Sequence, residues 1–185
     1  MNGKMVRTRR AIMAEGFLND DICVSCQGRC CKTMGCSLEP ADLLRALGGR
    51  AATRNNVENL LQSGQFAIDS FQTGGRSFYF LRMKHKCFTF IGVDAMGECI
   101  SLTDEGCSLT FEDRPKGGRM LEGREDGGCI QHYTQEMMIA DWKPYQEMLG
   151  AIWTCWYEQF EKDGVFDRCE EEYMQYQMRK RAVSG

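Results

Sequence analysis

Four cysteines fall within nine residues near the N-terminus, and this cluster constrains the fold more than any other feature of the chain. The pattern is Cys23-x2-Cys26-x3-Cys30-Cys31, and Cys36 follows five residues later. Thiolates are soft ligands that bind zinc, copper(I) and iron–sulfur clusters. The segment is rich in glycine and polar residues, so burial of apolar side chains contributes little to holding it. We therefore predict that residues 23–36 form a metal-binding loop, whose ion stabilises the fold.

Composition restricts the compartment and the class of ligand. The chain has 185 residues and a net charge of −3, which does not favour nucleic-acid binding. It has no run of about 18 apolar residues that would span a membrane. The N-terminal segment also lacks the apolar core of a secretory signal, so we expect a cytoplasmic protein. Structural disulfides are rare in the cytoplasm. The presence of 11 cysteines and only 2 histidines therefore indicates metal or redox chemistry.

A second group of cysteines occupies the middle of the chain: Cys87, Cys99, Cys107 and Cys129. Each of them alone is more typical of a small buried residue than of a ligand. The segment after Cys107 adds Arg114, Pro115 and Arg119, and His132 follows Cys129 at the spacing of a chelating pair.

Together, the two cysteine segments resemble the CxxCxxCC cysteine-cluster family, whose members are described as zinc- or iron-chelating proteins. The early part of the resemblance rests on Cys23, Cys26, Cys30 and Cys31, and the late part on Cys87, Cys99, Cys107, Arg114, Pro115 and Arg119. It covers residues 21–120 and implies that thiolates of both segments bind metal. The family domain also occurs in a flagellin lysine methylase.

The chain departs from the family pattern at two places. Three residues, rather than two, precede the adjacent pair Cys30-Cys31, and Gly118 stands where the family has its last cysteine. Cys36, Cys129 and His132 are the candidates to replace that ligand, and the sequence does not choose among them.

The resulting set of metal-ligand candidates is Cys23, Cys26, Cys30, Cys31, Cys36, Cys87, Cys99, Cys107, Cys129 and His132. Zinc is the expected metal, and it requires four nitrogen or sulfur ligands in a tetrahedron. The side chains of the adjacent Cys30 and Cys31 diverge, and the candidates outnumber the ligands of one zinc. Iron, or an iron–sulfur cluster, is therefore the alternative cofactor.

Other residues have simpler interpretations. Cys155 and Cys169 lie on predicted helices and are expected in the core. His85 is expected to be a solvated turn residue. Arg114 and Arg119 are expected to brace carbonyls or carboxylates near the metal.

The hydrophobic pattern predicts an α+β protein with a cysteine-rich, metal-bound core, a small antiparallel sheet and C-terminal helices. We expect one domain, residues 1–185, with a metal-binding region at 21–130 and a helical part at 133–182. The first helix is expected to start at a Ser37 cap and the second to cover 57–63. The predicted strands cover 65–70, 77–83, 87–93 and 98–102. The C-terminal part is expected to kink or restart at Pro144, to break at 163–164 and to end with a helix at 166–181.

Two functions follow from these observations. The first is a cytoplasmic metal-binding protein with a multi-cysteine zinc or iron site, structural or organising a surface for a protein partner. The alternative is a metal-dependent or iron–sulfur enzyme or redox protein that acts in protein or peptide modification. The sequence identifies no substrate and no catalytic residue, and it leaves the oligomeric state open.

Overall fold

A computed structural model describes Gly28, residues 30–92, residues 97–124, Asp126 and residues 128–184. In chain order, the α-helices of these residues are α1 (Pro40–Ala46), α2 (Arg54–Gln62), α3 (Lys116–Arg119), α4 (Gln135–Trp142), α5 (Gln146–Lys162) and α6 (Val165–Ser184). Short 3-10 turns cover Cys30–Lys32 and Lys143–Tyr145. None of the helices in this part of the chain is long and apolar enough to cross a membrane.

The start of α1 differs from the prediction. Ser37 does not cap it; Glu39 does, and the Asp42 carboxylate accepts a hydrogen bond from the Glu39 N–H at 3.1 Å. Pro40 occupies the first turn, where its missing N–H costs nothing. Ser37 instead pairs with Arg82 in an isolated β-bridge, so the chain is still extended at this point.

Three two-stranded antiparallel sheets are present in the described residues. The largest joins β1 (Phe66–Thr73) to β2 (Arg76–Met83) through Gly74 and Gly75, both at positive φ, as a tight hairpin turn requires. The other two pair β3 (Leu102–Thr103) with β4 (Gly106–Cys107), and β5 (Leu121–Gly123) with β6 (Cys129–Gln131).

The predicted strand at 87–93 is wrong as far as Gly92, and Val93 lies outside the described residues. Only Ile91 makes a β-contact there, an isolated bridge to Ile68. Cys87 has φ 64°, in the left-handed region, so the backbone cannot be extended where the strand was expected to start. The predicted strand at 98–102 is likewise reduced to a bridge between Cys99 and His85, followed by the start of β3.

The C-terminal helices pack on their own chain. The restart at Pro144 and the break before Gly164 are confirmed, since Pro144 lies in the 3-10 turn between α4 and α5 and Gly164 has φ 61°. Helix α5 lies on β2, where the Gln146 amide bonds both backbone groups of Tyr79 at 2.9 and 2.7 Å. The α+β class, with small antiparallel sheets and C-terminal helices, is therefore confirmed.

Candidate metal centre

The early cysteine segment lies between β2 and the segment that carries Cys99, and its backbone is hydrogen-bonded to both. On one side, the Cys99 N–H donates to the Cys31 carbonyl at 2.7 Å, and the Gly97 N–H donates to the Thr33 carbonyl at 2.9 Å. On the other side, the Met83 N–H donates to the Cys36 carbonyl at 2.9 Å. These bonds fix the early segment beside the late one, although more than 50 residues separate them.

His85 lies at the centre of this arrangement and is only 1% exposed, so the expectation of a solvated turn residue is wrong. Its Nε2 accepts a hydrogen bond from the Gly35 N–H at 3.0 Å, which places the ring proton on Nδ1. Gly97 packs on the other side, where a Cβ would lie 2.8 Å from Nδ1. Burial is the main cause that lowers the pKa of His85 to about 3, and the charges of Arg82 and Lys84 add to it. His85 is therefore a neutral spacer between the two cysteine segments.

Cys31, Cys99 and Cys107 come together and form what we call the thiol cluster. Cys31 is 7% exposed and Cys99 is 2% exposed. The Cys31 thiol hydrogen-bonds both other sulfurs, and this contact is the main cause that lowers the pKa of Cys99 and brings that of Cys107 to about 6. The short β3–β4 hairpin explains the approach, because it pairs Cys107 with Leu102, whose N–H donates to the Cys99 carbonyl at 3.0 Å.

Arg114 adds positive charge beside the thiol cluster. Its guanidinium hydrogen-bonds the Cys107 sulfur and helps to lower the pKa of that thiol. Its Nε is buried and has no hydrogen-bond partner among the described residues. A guanidinium at this position favours thiolate over thiol, and thiolate is the form that binds metal.

Arg119 braces the same segment, as expected. Its guanidinium donates to the Arg114 carbonyl at 2.6 Å, to Asp42 at 3.2 Å and to Glu39 at 3.2 Å. Lys116 adds an ion pair to Glu39 at 2.7 Å. The charged contacts tie the segment after β4 to helix α1 and so hold Arg114 in place.

The Cys36 thiol lies beside Gly118, which also neighbours Arg114. A Cβ at Gly118 would lie 3.1 Å from the Cys36 sulfur and 3.4 Å from the Cβ of Arg114. Of the three candidates Cys36, Cys129 and His132, Cys36 is thus the one whose thiol fills the space beside Gly118.

Cys129 and His132 lie at the β5–β6 hairpin. The Cys129 side chain is exposed, and the His132 Nε2 lies 2.7 Å from the Glu122 carboxylate. In the described residues, the strands of this hairpin, β5 and β6, pair with each other.

Cys87 faces the C-terminal helix. Burial is the main cause that raises its pKa, and the other charges acting on it come from Glu172 and Arg179 of α6 and from Lys84 and Lys86. Cys169 of α6 is half-buried, and Cys155 of α5 is exposed, so the expected core position of Cys155 is wrong. The Cys155 thiol lies beside the exposed Arg54 instead.

Cys23, Cys26 and the side chain of Cys30 lie outside the described residues. Within the described part of the chain, no three His, Cys, Asp or Glu side chains form a group that could hold a metal ion. The thiol cluster is therefore not a complete metal site by itself, and any site built on it needs further ligands.

Glu98 is a residue of this region that the sequence did not single out. It is 4% exposed, and its carboxylate contacts Tyr176 at 2.6 Å and also Lys180, both on α6. Its position directly before Cys99 could have drawn attention to Glu98 in the sequence. Its partners on α6, however, lie about 80 residues away along the chain, so the sequence next to Glu98 does not reveal them.

Comparison with protein-family models, with curated proteins and with solved structures finds no match.

Proposed function

We propose that this protein is a cytoplasmic metal-binding protein in which cysteines of the early and late segments bind one metal centre. The observation that carries the proposal is the contact of Cys31 with both Cys99 and Cys107. These thiols belong to two segments that lie far apart in the sequence; Cys31 and Cys99 are buried, and Cys107 is half-buried.

The chemistry of the residues fits a soft metal. The Cys31 thiol contacts those of Cys99 and Cys107, the thiolate form of Cys107 is favoured near neutral pH, and Arg114 offsets part of the negative charge that several thiolates would bring. Metal affinity depends on deprotonated ligands, so this environment lowers the cost of binding.

Further ligands are available from the chain next to Cys31. Cys30 is adjacent to Cys31. Cys26 is five residues from Cys31, and an extended chain of that length reaches at most about 17 Å. We propose Cys23, Cys26 and Cys30 as the source of the remaining ligands. Zinc would complete a tetrahedron with one of them; iron, or an iron–sulfur cluster, would use more.

The proposed role of the metal is structural. A zinc site contributes on the order of 10 kcal/mol to folding, more than the net stability of many domains. Here it would fasten the early segment to the Cys99 and Cys107 segment and so set the surface offered to a protein partner.

The test is elemental analysis together with an absorption spectrum of anaerobically purified protein. We expect one or two zinc ions per chain and no colour, and iron with a brown chromophore would assign the cluster alternative. Cys99→Ser is expected to lose the metal, and Cys155→Ser, an exposed thiol on α5, is the matched control. Protein that is folded and contains no metal would overturn the proposal.

A further inference from the structure

Glu98 connects the C-terminal helix to the thiol cluster. Its carboxylate is buried and accepts hydrogen bonds from the Tyr176 hydroxyl at 2.6 Å and from the Lys180 ammonium, and Lys86 lies at 3.6 Å. A carboxylate that is 4% exposed needs such partners, because an unpaired buried charge is costly. Helix α6 supplies two of the three.

The backbone on either side of Glu98 is the part that contacts the early cysteine segment. Gly97 and Cys99 donate to the carbonyls of Thr33 and Cys31, and the Glu98 carbonyl accepts from the Lys86 N–H at 2.7 Å. A displacement of Glu98 therefore displaces Cys99 relative to Cys31.

Helix α6 packs on α5 at its N-terminal end, where the Phe166 ring lies 5.3 Å from that of Tyr157 and 6.0 Å from that of Phe160, centroid to centroid. None of its described side chains is fully buried, and its clearest apolar contact to this region is Tyr173 on Phe88, with ring centroids 4.9 Å apart. The polar contacts of Tyr176 and Lys180 with Glu98 thus join the C-terminal half of the helix to the segment that carries Cys99.

We infer that α6 is a clamp on the thiol cluster, in which Tyr176 and Lys180 are positioning residues that hold Cys99 beside Cys31 through Glu98. Metal binding and docking of α6 then stabilise each other. This rests on the proposed function, since it names a control on the same site. By linkage, whatever factor the clamp adds to metal affinity is the factor that metal adds to the docking of α6.

The experiment measures zinc affinity by chelator competition in Tyr176→Phe and Lys180→Met. The matched control is Arg181→Met, which removes the same charge from an exposed position one residue further on. We expect each clamp variant to bind zinc about tenfold more weakly, and the control to bind within about twofold of the unmodified protein. Circular dichroism verifies that helix content is unchanged.

Amide hydrogen exchange of residues 170–182 supplies a readout that a merely structural role would not move. Zinc is expected to slow exchange there in the unmodified protein, and to slow it less in Tyr176→Phe. Unchanged zinc affinity in both clamp variants, or equal exchange of α6 with and without zinc, would overturn the inference.

A third readout separates this inference from the proposed function. If the unmodified protein binds no zinc, the proposed function fails, and the clamp is then judged by the alkylation rate of Cys99, which is 2% exposed. We expect Tyr176→Phe to raise that rate about tenfold over Arg181→Met, since opening of the segment exposes the thiol. Equal rates would refute the clamp as well.

Discussion

Substitution of Gly118 by cysteine is expected to form a disulfide with Cys36. A Cβ at Gly118 would lie 3.5 Å from the Cβ of Cys36 and 3.1 Å from its sulfur. Disulfides have Cβ atoms about 3.5–4.5 Å apart, and an S–S bond of about 2.05 Å places one Cβ about 3 Å from the opposite sulfur. Gly118 does not have a positive φ, so its backbone accepts a side chain. The bond therefore needs no displacement of the backbone.

The magnitude follows from the loop that the bond closes. A cross-link that spans about 80 residues removes about 4.5 kcal/mol of chain entropy from the unfolded state at 25 °C. We expect oxidised Gly118→Cys to be more stable than its reduced form by up to this amount. In the reduced form, the new Cβ crowds the Cys36 sulfur, so that form is expected to be slightly less stable than the unmodified protein.

The assay is urea unfolding of Gly118→Cys before and after oxidation with glutathione disulfide, with peptide mapping to locate the link. The double variant Cys36→Ser with Gly118→Cys is the control, and oxidation is expected to leave its stability unchanged. An introduced thiol that stays reduced, or links to a cysteine other than Cys36, would show that α3 does not lie on the early segment as described.

Three further results are expected. Stability to urea should fall by about 1.4 kcal/mol per pH unit from pH 6.5 down to about 3, because the unfolded chain protonates His85 and the folded protein, with its lowered pKa, does not; a flat profile would contradict this. Gly35→Ala should lower the free energy of unfolding by about 3 kcal/mol, a large cost for overpacking, since the new Cβ would lie 2.1 Å from the Met83 carbonyl oxygen. Unchanged stability to urea would show that Gly35 does not pack on Met83. In metal-free protein, alkylation of Cys107 should have its pH midpoint near its pKa of about 6, and Arg114→Gln should move the midpoint upward; mass spectrometry reads both.

Local signals predicted where the C-terminal helices are interrupted. Pro144 between α4 and α5 and the break at 163–164 before α6 each act within a few residues, so the sequence next to them is sufficient. The false strand at 87–93 shows the limit of this reasoning. Its residues have strand-like composition, but Cys87 adopts a left-handed conformation that a pattern of residue types does not reveal.

The candidate site depended on contacts between distant segments. The resemblance to the cysteine-cluster family implied that thiolates of both segments bind metal, but the approach of Cys31 to Cys99 and Cys107 depends on backbone pairing between residues 31–33 and 97–99. The burial of His85 was missed for the same reason, since its neighbours Gly35 and Gly97 lie in those segments. Helical spacing also predicted that Cys155 lies in the core, whereas its side chain on α5 is exposed.

Cobalt(II) substitution tests most directly whether thiolates of the two segments bind the same metal. The intensity of the sulfur-to-cobalt absorption per bound ion rises with the number of cobalt–sulfur bonds, and a tetrahedral site shows visible bands. We expect Cys31→Ser, Cys99→Ser and Cys107→Ser each to lower that intensity or abolish binding, while Cys155→Ser retains it. Full intensity in Cys99→Ser and Cys107→Ser would contradict a shared centre and would leave the late cysteines as buried residues of the core.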